Sequence, residues 1–349
     1  MENVLEVLSR AVRLPRSAAG QFSFRRALQV LRAGAAPLIL FERDAGIGDI
    51  ICTVPAVTAL RTKYPDCKIV YATNAAFGPI VRMARCADAV VECDWSKLFP
   101  KYRKTDFDLA FAPRTAWERW ERGERTGGTD APRMVSLHLI DEYCQAIGVT
   151  PLDRQVRLHP PEDMLKEMRL RLSALRAGDG PIIGIHVGPS WPVRQWTDDN
   201  WEQLVHLLRA TKQATVIQFG FDRHVNFGRV LSGRIPGAVD WVGKLTLEQT
   251  TAAIACLSQF VGIDSGLIHI AGAVGTPTVG LFGPVRSSLR LAVQAPAVGI
   301  DAGVPCAGCH HSIPPLHWRT GCPHDIECMK AITPEAVLEQ CLALLDRDR

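Results

Sequence analysis

Several stretches of this sequence combine residue types that can do chemistry. In "FERDAGIGDI", residues 41–50, an acid, Asp49, follows Gly46 and Gly48 after an apolar run. A carboxylate there could accept a proton from an attacking hydroxyl. It could instead cap a helix, which is worth about 0.5–2 kcal/mol. Pro55 separates the two readings. If Asp49 caps, Pro55 lies past the first turn and should kink the helix. If Thr53 caps, Pro55 falls early, where proline is tolerated. Asp49 is therefore expected in a loop, with Gly46 and Gly48 giving clearance for a ligand. The stretch is neither a P-loop, lacking Gly-Lys-Ser/Thr, nor a dinucleotide fingerprint.

Two later stretches suit an anionic ligand. "GIDSGLIHIAGAVGTP", residues 262–277, runs from a strand end through Asp264 and Ser265 into a small-residue helix at Gly266. The N–H groups and positive dipole end of such a helix favour a phosphate or pyrophosphate. Gly272 and Gly275 suit close helix–sheet packing. Ser265 lacks the G-x-S-x-G setting of a hydrolase nucleophile. "HVGPSWPVRQWTDDNW", residues 186–201, holds Ser190 and Arg194 between a strand and a helix. Arg194 either neutralises a diphosphate or lies on the surface beside a packed Trp196.

Four cysteines fall late as C-x2-C-x12-C-x5-C: Cys306, Cys309, Cys322 and Cys328. Four thiolates can close a tetrahedral zinc or iron site, and His310, His311, His317 and His324 are available substitutes. Reduced thiols in a packed loop and disulfides are the alternatives. The stretch "RTAWERWERGERTGG" sets Trp117 and Trp120 among Arg114, Arg119, Arg122 and Arg125. It reads either as an exposed amphipathic helix or as an acceptor-binding lid, since tryptophans stack on sugar rings and arginines pair with anions.

The elements that must position these residues are short apolar runs alternating with helical patterns. "APLILF", "CKIVYATN", "DAVVECD" and "FDLAFAPR" read as strands, interleaved with helices over residues 50–64, "FGPIVRMAR" and "SLHLIDEYCQAIGV". Pro151, Pro160 and Pro161 break the pattern, which restarts with "PIIGIHVG", a helix capped by Thr197, "ATVIQFG", "QFVGID" and "TPTVGLFG". This alternation predicts βαβ units on parallel sheets. Two α/β domains with a linker predict a cleft, with ligands at the carboxyl ends of strands.

Bulk properties exclude some classes. With 349 residues, two domains are expected at ~100–200 residues each. The net charge of +4 is too mild to argue for nucleic acid. No run reaches the ~20 apolar residues of a membrane span, and no signal peptide is read, so a cytoplasmic protein is expected. Residues 1–35 are helix-rich and basic, with no acid between Glu6 and Glu42. They read as a solvated extension or as a face for the inner-membrane surface, an acidic partner or a sister subunit.

The motifs "RDAGIGD", "GPSWPVRQW" and "DSGLIHIAGAVGTPTVGLFGP" together resemble glycosyltransferase family 9, the bacterial heptosyltransferases, over roughly residues 37–345. The resemblance implies a GT-B fold: a basic extension 1–35, an acceptor domain 36–160, a nucleotide-sugar donor domain 161–330, and a C-terminal helix in 331–349 crossing back to the first domain. It implies inverting transfer without catalytic cofactor or divalent cation, commonly from ADP-heptose to lipopolysaccharide core or a protein. Asp49 matches the general base. Arg194 stands where the family usually has lysine near the pyrophosphate. Asp264 matches the acid on the donor sugar, and Ser265, Gly266, Leu267 and His269 match the diphosphate loop. Asp222 falls where an acid can hold the ribose, and Ser190 joins the donor side. Similar late cysteine patterns occur in part of the family. The rival readings are transfer from a different nucleotide sugar, and a non-catalytic scaffold.

Overall fold

The computed structural model describes residues 31, 36–93, 106–123, 133–176, 178–188, 191–221, 234–292, 294–313 and 321–347. The expected basic extension lies outside them except for Leu31, which packs against the first core. Two compact units are present. One holds the described residues up to Thr115 together with Leu139–His159; the other holds Ala116–His138 and the residues from Pro160 onward.

The first unit runs β1 (Leu38–Glu42), α1 (Ile47–Lys63), β2 (Lys68–Asn74), α2 (Gly78–Ala84), β3 (Ala89–Cys93) and β4 (Leu109–Phe111). All four strands are parallel, in the order β3-β2-β1-β4. Every residue of β1 is buried, as expected of a parallel strand covered on both faces. Leu38 and Leu40 join Val70, Ala72, Val91 and Phe107 in one core. Ile39 and Phe41 alternate to the other face, where the Phe41 and Tyr71 rings sit 5.0 Å apart.

Helix α1 begins earlier than the sequence suggests. Gly46 is its N-cap, with φ −65°, and Asp49 lies in the first turn rather than in a loop. Gly48 is inside the helix, so neither glycine serves a left-handed turn. Pro55 is tolerated in the interior even though it removes one N–H donor from the ladder. The reason is packing: residues 50–57 are all buried, and tertiary burial outweighs the lost bond.

The chain then leaves the first unit. Helix α3 (Ala116–Glu121) and strand β5 (Arg133–Met134) belong with the second, although the sequence assigns them to the domain 36–160. Strand β5 pairs antiparallel with the strand Ser312–Ile313, and the Val135 N–H donates to the His311 carbonyl at 2.7 Å. Helix α4 (Leu139–Ala146) returns to pack on α1.

The second unit continues with α5 (Glu162–Leu175), β6 (Ile182–His186), α6 (Asp198–Lys212), β7 (Thr215–Phe219), β8 (Val239–Asp240), α7 (Leu247–Ile254), β9 (Gln259–Ile263) and α8 (Gly266–Val274). Then come β10 (Thr278–Phe282), β11 (Ala297–Asp301), β12 (Ser312–Ile313), α9 (Glu327–Lys330) and α10 (Pro334–Leu345). Its six-stranded sheet is parallel throughout, in the order β11-β10-β9-β6-β7-β8. That is the dinucleotide-domain order, winding outward both ways from β6 and β9.

Local chemistry sets these helices. Thr197 caps α6 as expected, accepting from Asn200 N at 3.3 Å. Trp201, Leu204, Val205 and Leu208 form its buried stripe. Thr246 and Gln249 make a reciprocal capping box on α7. On α8, a Cβ added at Gly272 would lie 2.2 Å from Ala292 Cβ, so the glycine permits close packing. Helix α10 places Val337, Cys341 and Leu344 with Trp201 and Leu204 in the second unit's core. Trp196 anchors the approach by donating from Nε1 to the Ile332 carbonyl at 2.8 Å.

Candidate functional site

In open α/β sheets, ligands sit beyond the carboxyl ends of the strands where the winding reverses. In the first unit that point lies between β1 and β4, and in the second between β6 and β9. Both points carry the residues the sequence singles out.

Beyond β1, Arg43 is 6% exposed and tied at three places. Its Nη1 donates to the Pro113 carbonyl, just after β4, at 3.0 Å. Its Nη2 donates to the Tyr143 hydroxyl at 2.6 Å and lies 3.3 Å from Asp49 Oδ1. The guanidinium carbon sits 4.8 Å from the centre of the Tyr143 ring. The Tyr143 hydroxyl in turn donates to Asp49 Oδ1. Asp49 keeps 33% of its side chain exposed. A guanidinium, a phenol and a helix N-terminus thus all favour its anionic form. Beneath this cluster, Tyr71 bonds Thr53 Oγ1 at 2.7 Å, and Thr53 donates to the Ile50 carbonyl at 2.7 Å. Burial keeps the Tyr71 phenol protonated by pushing its pKa upward.

Beyond β6 and β9, Arg194 closes a short 3₁₀ turn, Pro192–Arg194. Its Nη1 lies 2.8 Å from Asp264 Oδ2, with side-chain exposures of 19% and 6%. Arg194 is therefore neither a loose surface arginine nor an isolated cation. Burial alone would raise the Asp264 pKa; Arg194 foremost, then Arg290, His269 and His310, hold it below the ordinary carboxylate value. Ser265 is the N-cap of α8, yet its hydroxyl makes no cap bond, and its Oγ is buried with no hydrogen-bond partner among the described residues. No acid occupies the first turn of α8. Gly266 starts that helix, while Leu267 and His269 are 1% and 6% exposed. The result is a helix N-terminus with an unspent hydroxyl beside an arginine, a setting that suits phosphate oxygens.

The four late cysteines come together. Cys306, Cys309, Cys322 and Cys328 line one cavity of about 290 Å³ with Val193, Arg286, His310 and His324. Burial, then the neighbouring cysteines, push Cys328 up to about 11, and Cys309 is raised for the same reasons. The loop is seated on the carboxyl end of β10: Gly308 N donates to the Gly283 carbonyl at 2.9 Å and His310 N to the Pro284 carbonyl at 2.8 Å. A Cβ at Gly283 would lie 2.7 Å from Cys328 Sγ, so only glycine admits α9 here. His311 Nε2 accepts from Arg286 N at 2.9 Å, which commits that nitrogen. Among the described residues no three His, Cys, Asp or Glu side chains are grouped as a formed metal site.

Some expected site residues fall elsewhere. Ser190, Asp222 and His317 lie outside the described residues, as does the Trp120 side chain. Trp117 is half-buried on α3, in the second unit. Among the described residues no helix is long and apolar enough to cross a membrane. Three site residues carry no role in the sequence reading. Arg43 is visible there as the first residue of "RDAGIGD". Arg290 is one of many arginines. Tyr143 is 94 positions from Asp49, and nothing local marks it.

Known proteins match this chain. The model of "Glycosyltransferase family 9 (heptosyltransferase)" fits residues 134–313. Lipopolysaccharide heptosyltransferase 1 of Pseudomonas aeruginosa is 21% identical over 78% of this chain and 85% of its own length. The structure of Escherichia coli ADP-heptose lipopolysaccharide heptosyltransferase II superposes with a TM-score of 0.65 at 18% identity, covering 89% of this chain and 99% of that one. The iron-containing dodecameric glycosyltransferase TibC of enterotoxigenic E. coli superposes with a TM-score of 0.68 at 17% identity, covering 90% of this chain and 77% of that one. The fold is thus the two-domain, Rossmann-like GT-B fold of these enzymes. With its family match spanning just over half of its length, the chain belongs to glycosyltransferase family 9, the heptosyltransferases.

Proposed function

We propose that this chain transfers a heptose from ADP-heptose to an acceptor hydroxyl, with inversion and without a divalent cation in the reaction. Asp49 is the general base. The observation that carries the reading is the Asp49 carboxylate, partly exposed at the winding point of the first sheet and held there by Arg43 and Tyr143. Packing alone does not require a partly exposed carboxylate at that place.

In this reading the acceptor oxygen attacks the anomeric carbon as the bond to the diphosphate breaks. Asp49 takes the hydroxyl proton, and ADP leaves with the bonding pair. A carboxylate so favoured as an anion is a weak base, so the proton moves late, and positioning supplies most of the benefit. Negative charge grows on the departing diphosphate. The first-turn N–H groups of α8, the Ser265 hydroxyl and Arg194 are suited to meet it. Asp264 holds Arg194 in place and contacts the donor sugar, with Gly266, Leu267 and His269 completing the donor loop and Ser190 and Asp222 on the nucleotide side. Gly46, Gly48, Trp117 and Trp120 belong to the acceptor side. The acceptor is a lipopolysaccharide core sugar or a protein side chain. A cytoplasmic enzyme, peripheral contact with the inner membrane and homo-oligomerisation complete the proposal; TibC is dodecameric.

The cysteine-lined cavity supports a structural zinc or iron site on Cys306, Cys309, Cys322 and Cys328. Four cysteines around one space are the donor set that a soft or borderline cation would hold as thiolates. Elemental analysis should find near-stoichiometric zinc or iron; less than about a tenth of an equivalent rejects the site.

The reaction is tested with Asp49→Ala. ADP release from ADP-heptose should stop while ADP binding stays near wild type. Near-wild-type turnover would remove Asp49 from the chemistry. No ADP release by the wild-type protein, with or without lipopolysaccharide-core acceptor, would favour a scaffold.

A further inference from the structure

Two buried tyrosines lie near Asp49, and they spend their hydroxyls differently. Tyr71 and Tyr143 are both 0% exposed. A buried tyrosine needs a partner for its hydroxyl. Tyr71 takes Thr53, one turn along α1 from the carboxylate. Tyr143 instead reaches from α4, across 94 residues of chain, to Asp49 Oδ1. Packing alone would be met by phenylalanine at position 143.

The arginine beside it is not free to take over. Nη1 of Arg43 is tied to the Pro113 carbonyl at 3.0 Å, and the guanidinium lies on the Tyr143 ring. Its Nη2 is closer to the phenol oxygen, at 2.6 Å, than to Asp49 Oδ1, at 3.3 Å. The guanidinium therefore polarises the phenol, and the phenol passes that polarisation to the carboxylate, as in any hydrogen-bond chain. Two donors from separate elements on one oxygen fix both the position and the plane of the carboxylate.

We propose that Tyr143 is a positioning residue for Asp49: donating to Oδ1 and braced by Arg43, its phenol holds the carboxylate in the orientation from which it takes the acceptor proton. The proposal rests on the reading of Asp49 as base. The phenol keeps its own proton throughout, and the acceptor proton goes to the carboxylate. Groups facing Asp49 include Arg43 at the end of β1, Tyr71 on β2 and Tyr143 on α4. Removing the Tyr143 donor leaves the cation in place and withdraws one hydrogen bond from the anion, so the carboxyl should protonate at higher pH.

The test uses Tyr143→Phe, with Tyr71→Phe as the packing control. Asp49 protonation is followed by carbon-13 NMR of aspartate-labelled protein, the resonance being assigned by its loss in Asp49→Asn. ADP release from ADP-heptose is followed over the same pH range. Tyr143→Phe should raise the Asp49 midpoint and the acid limb of kcat together by about one pH unit or more. It should lower kcat about tenfold and leave KM for ADP-heptose within about twofold. Tyr71→Phe should move neither midpoint nor limb. An unchanged Asp49 midpoint in Tyr143→Phe overturns the positioning role, as does an equal shift in Tyr71→Phe. If Tyr143→Phe is silent while Asp49→Ala is inactive, only this proposal fails. Turnover by Asp49→Ala overturns both.

Discussion

The two helices that follow the central strands, α1 after β1 and α8 after β9, start in opposite ways. Helix α1 is capped by a glycine and carries Asp49 in its first turn, so its positive end already has an anion. Helix α8 has no acid in its first turn, and its capping serine makes no cap bond. Its preceding acid, Asp264, is taken up by Arg194. One sheet topology thus yields two electrostatically different ends. The first repels a phosphate and presents a carboxylate; the second has N–H groups, a hydroxyl and an arginine for an anion. The difference teaches that the fold supplies the place, while two or three residues at each helix start decide which reactant that place suits.

Substitutions at the two ends should separate cleanly. Asp49→Ala should reduce turnover by on the order of 10²–10⁴-fold, with ADP affinity within about twofold by calorimetry; equal losses in both would blur the contrast. Arg194→Ala should weaken ADP binding by roughly 10–100-fold. It should also destabilise the fold by on the order of 3–5 kcal/mol, because Asp264 is left buried without its cation. Arg194→Lys should recover charge but not the planar fork, giving intermediate affinity. Unchanged ADP titration in Arg194→Ala would detach this end from the diphosphate.

The smallest effect is the most selective. Ser265→Ala should leave the melting temperature unchanged, since its hydroxyl makes no bond among the described residues, yet weaken ADP binding several-fold. Thr246→Ala, which breaks the capping box of α7, should do the reverse: a loss of about 1 kcal/mol in denaturant unfolding, with ADP affinity intact. A stability loss in Ser265→Ala matching that of Thr246→Ala would make Ser265 an ordinary cap.

Much of the fold is legible in the sequence because parallel strands are buried on both faces and leave continuous apolar runs. "LILFE" and "QFVGI" are each buried throughout and are read correctly as strands. The edge strands are not: the described side chains of β11 are mostly half-buried, and its pattern fades accordingly. The place of segment 116–138 in the second unit is not legible, because β5 gets its partner from β12, nearly 180 residues later, and two residues carry no readable period. The apolar stripe of α10, Val337, Cys341 and Leu344, fits the core around Trp201.

The start of α1 shows where local reasoning stops. Pro55 argues for a helix beginning near Thr53, and taken alone that inference is sound. The cost of one missing donor is small beside the burial of residues 50–57, which only the packed unit supplies.

By itself, the sequence determined the alternating α/β pattern, the three motifs at strand ends, and the candidates Asp49, Arg194, Asp264 and Ser265. These follow from periodicity and residue type, which are local properties. Only the tertiary structure decided that Asp49 sits on a helix under Arg43 and Tyr143, that Arg194 and Asp264 form a pair, and that four cysteines share one cavity. Those are contacts between residues distant in the chain, set by which strands adjoin, and no local period encodes them.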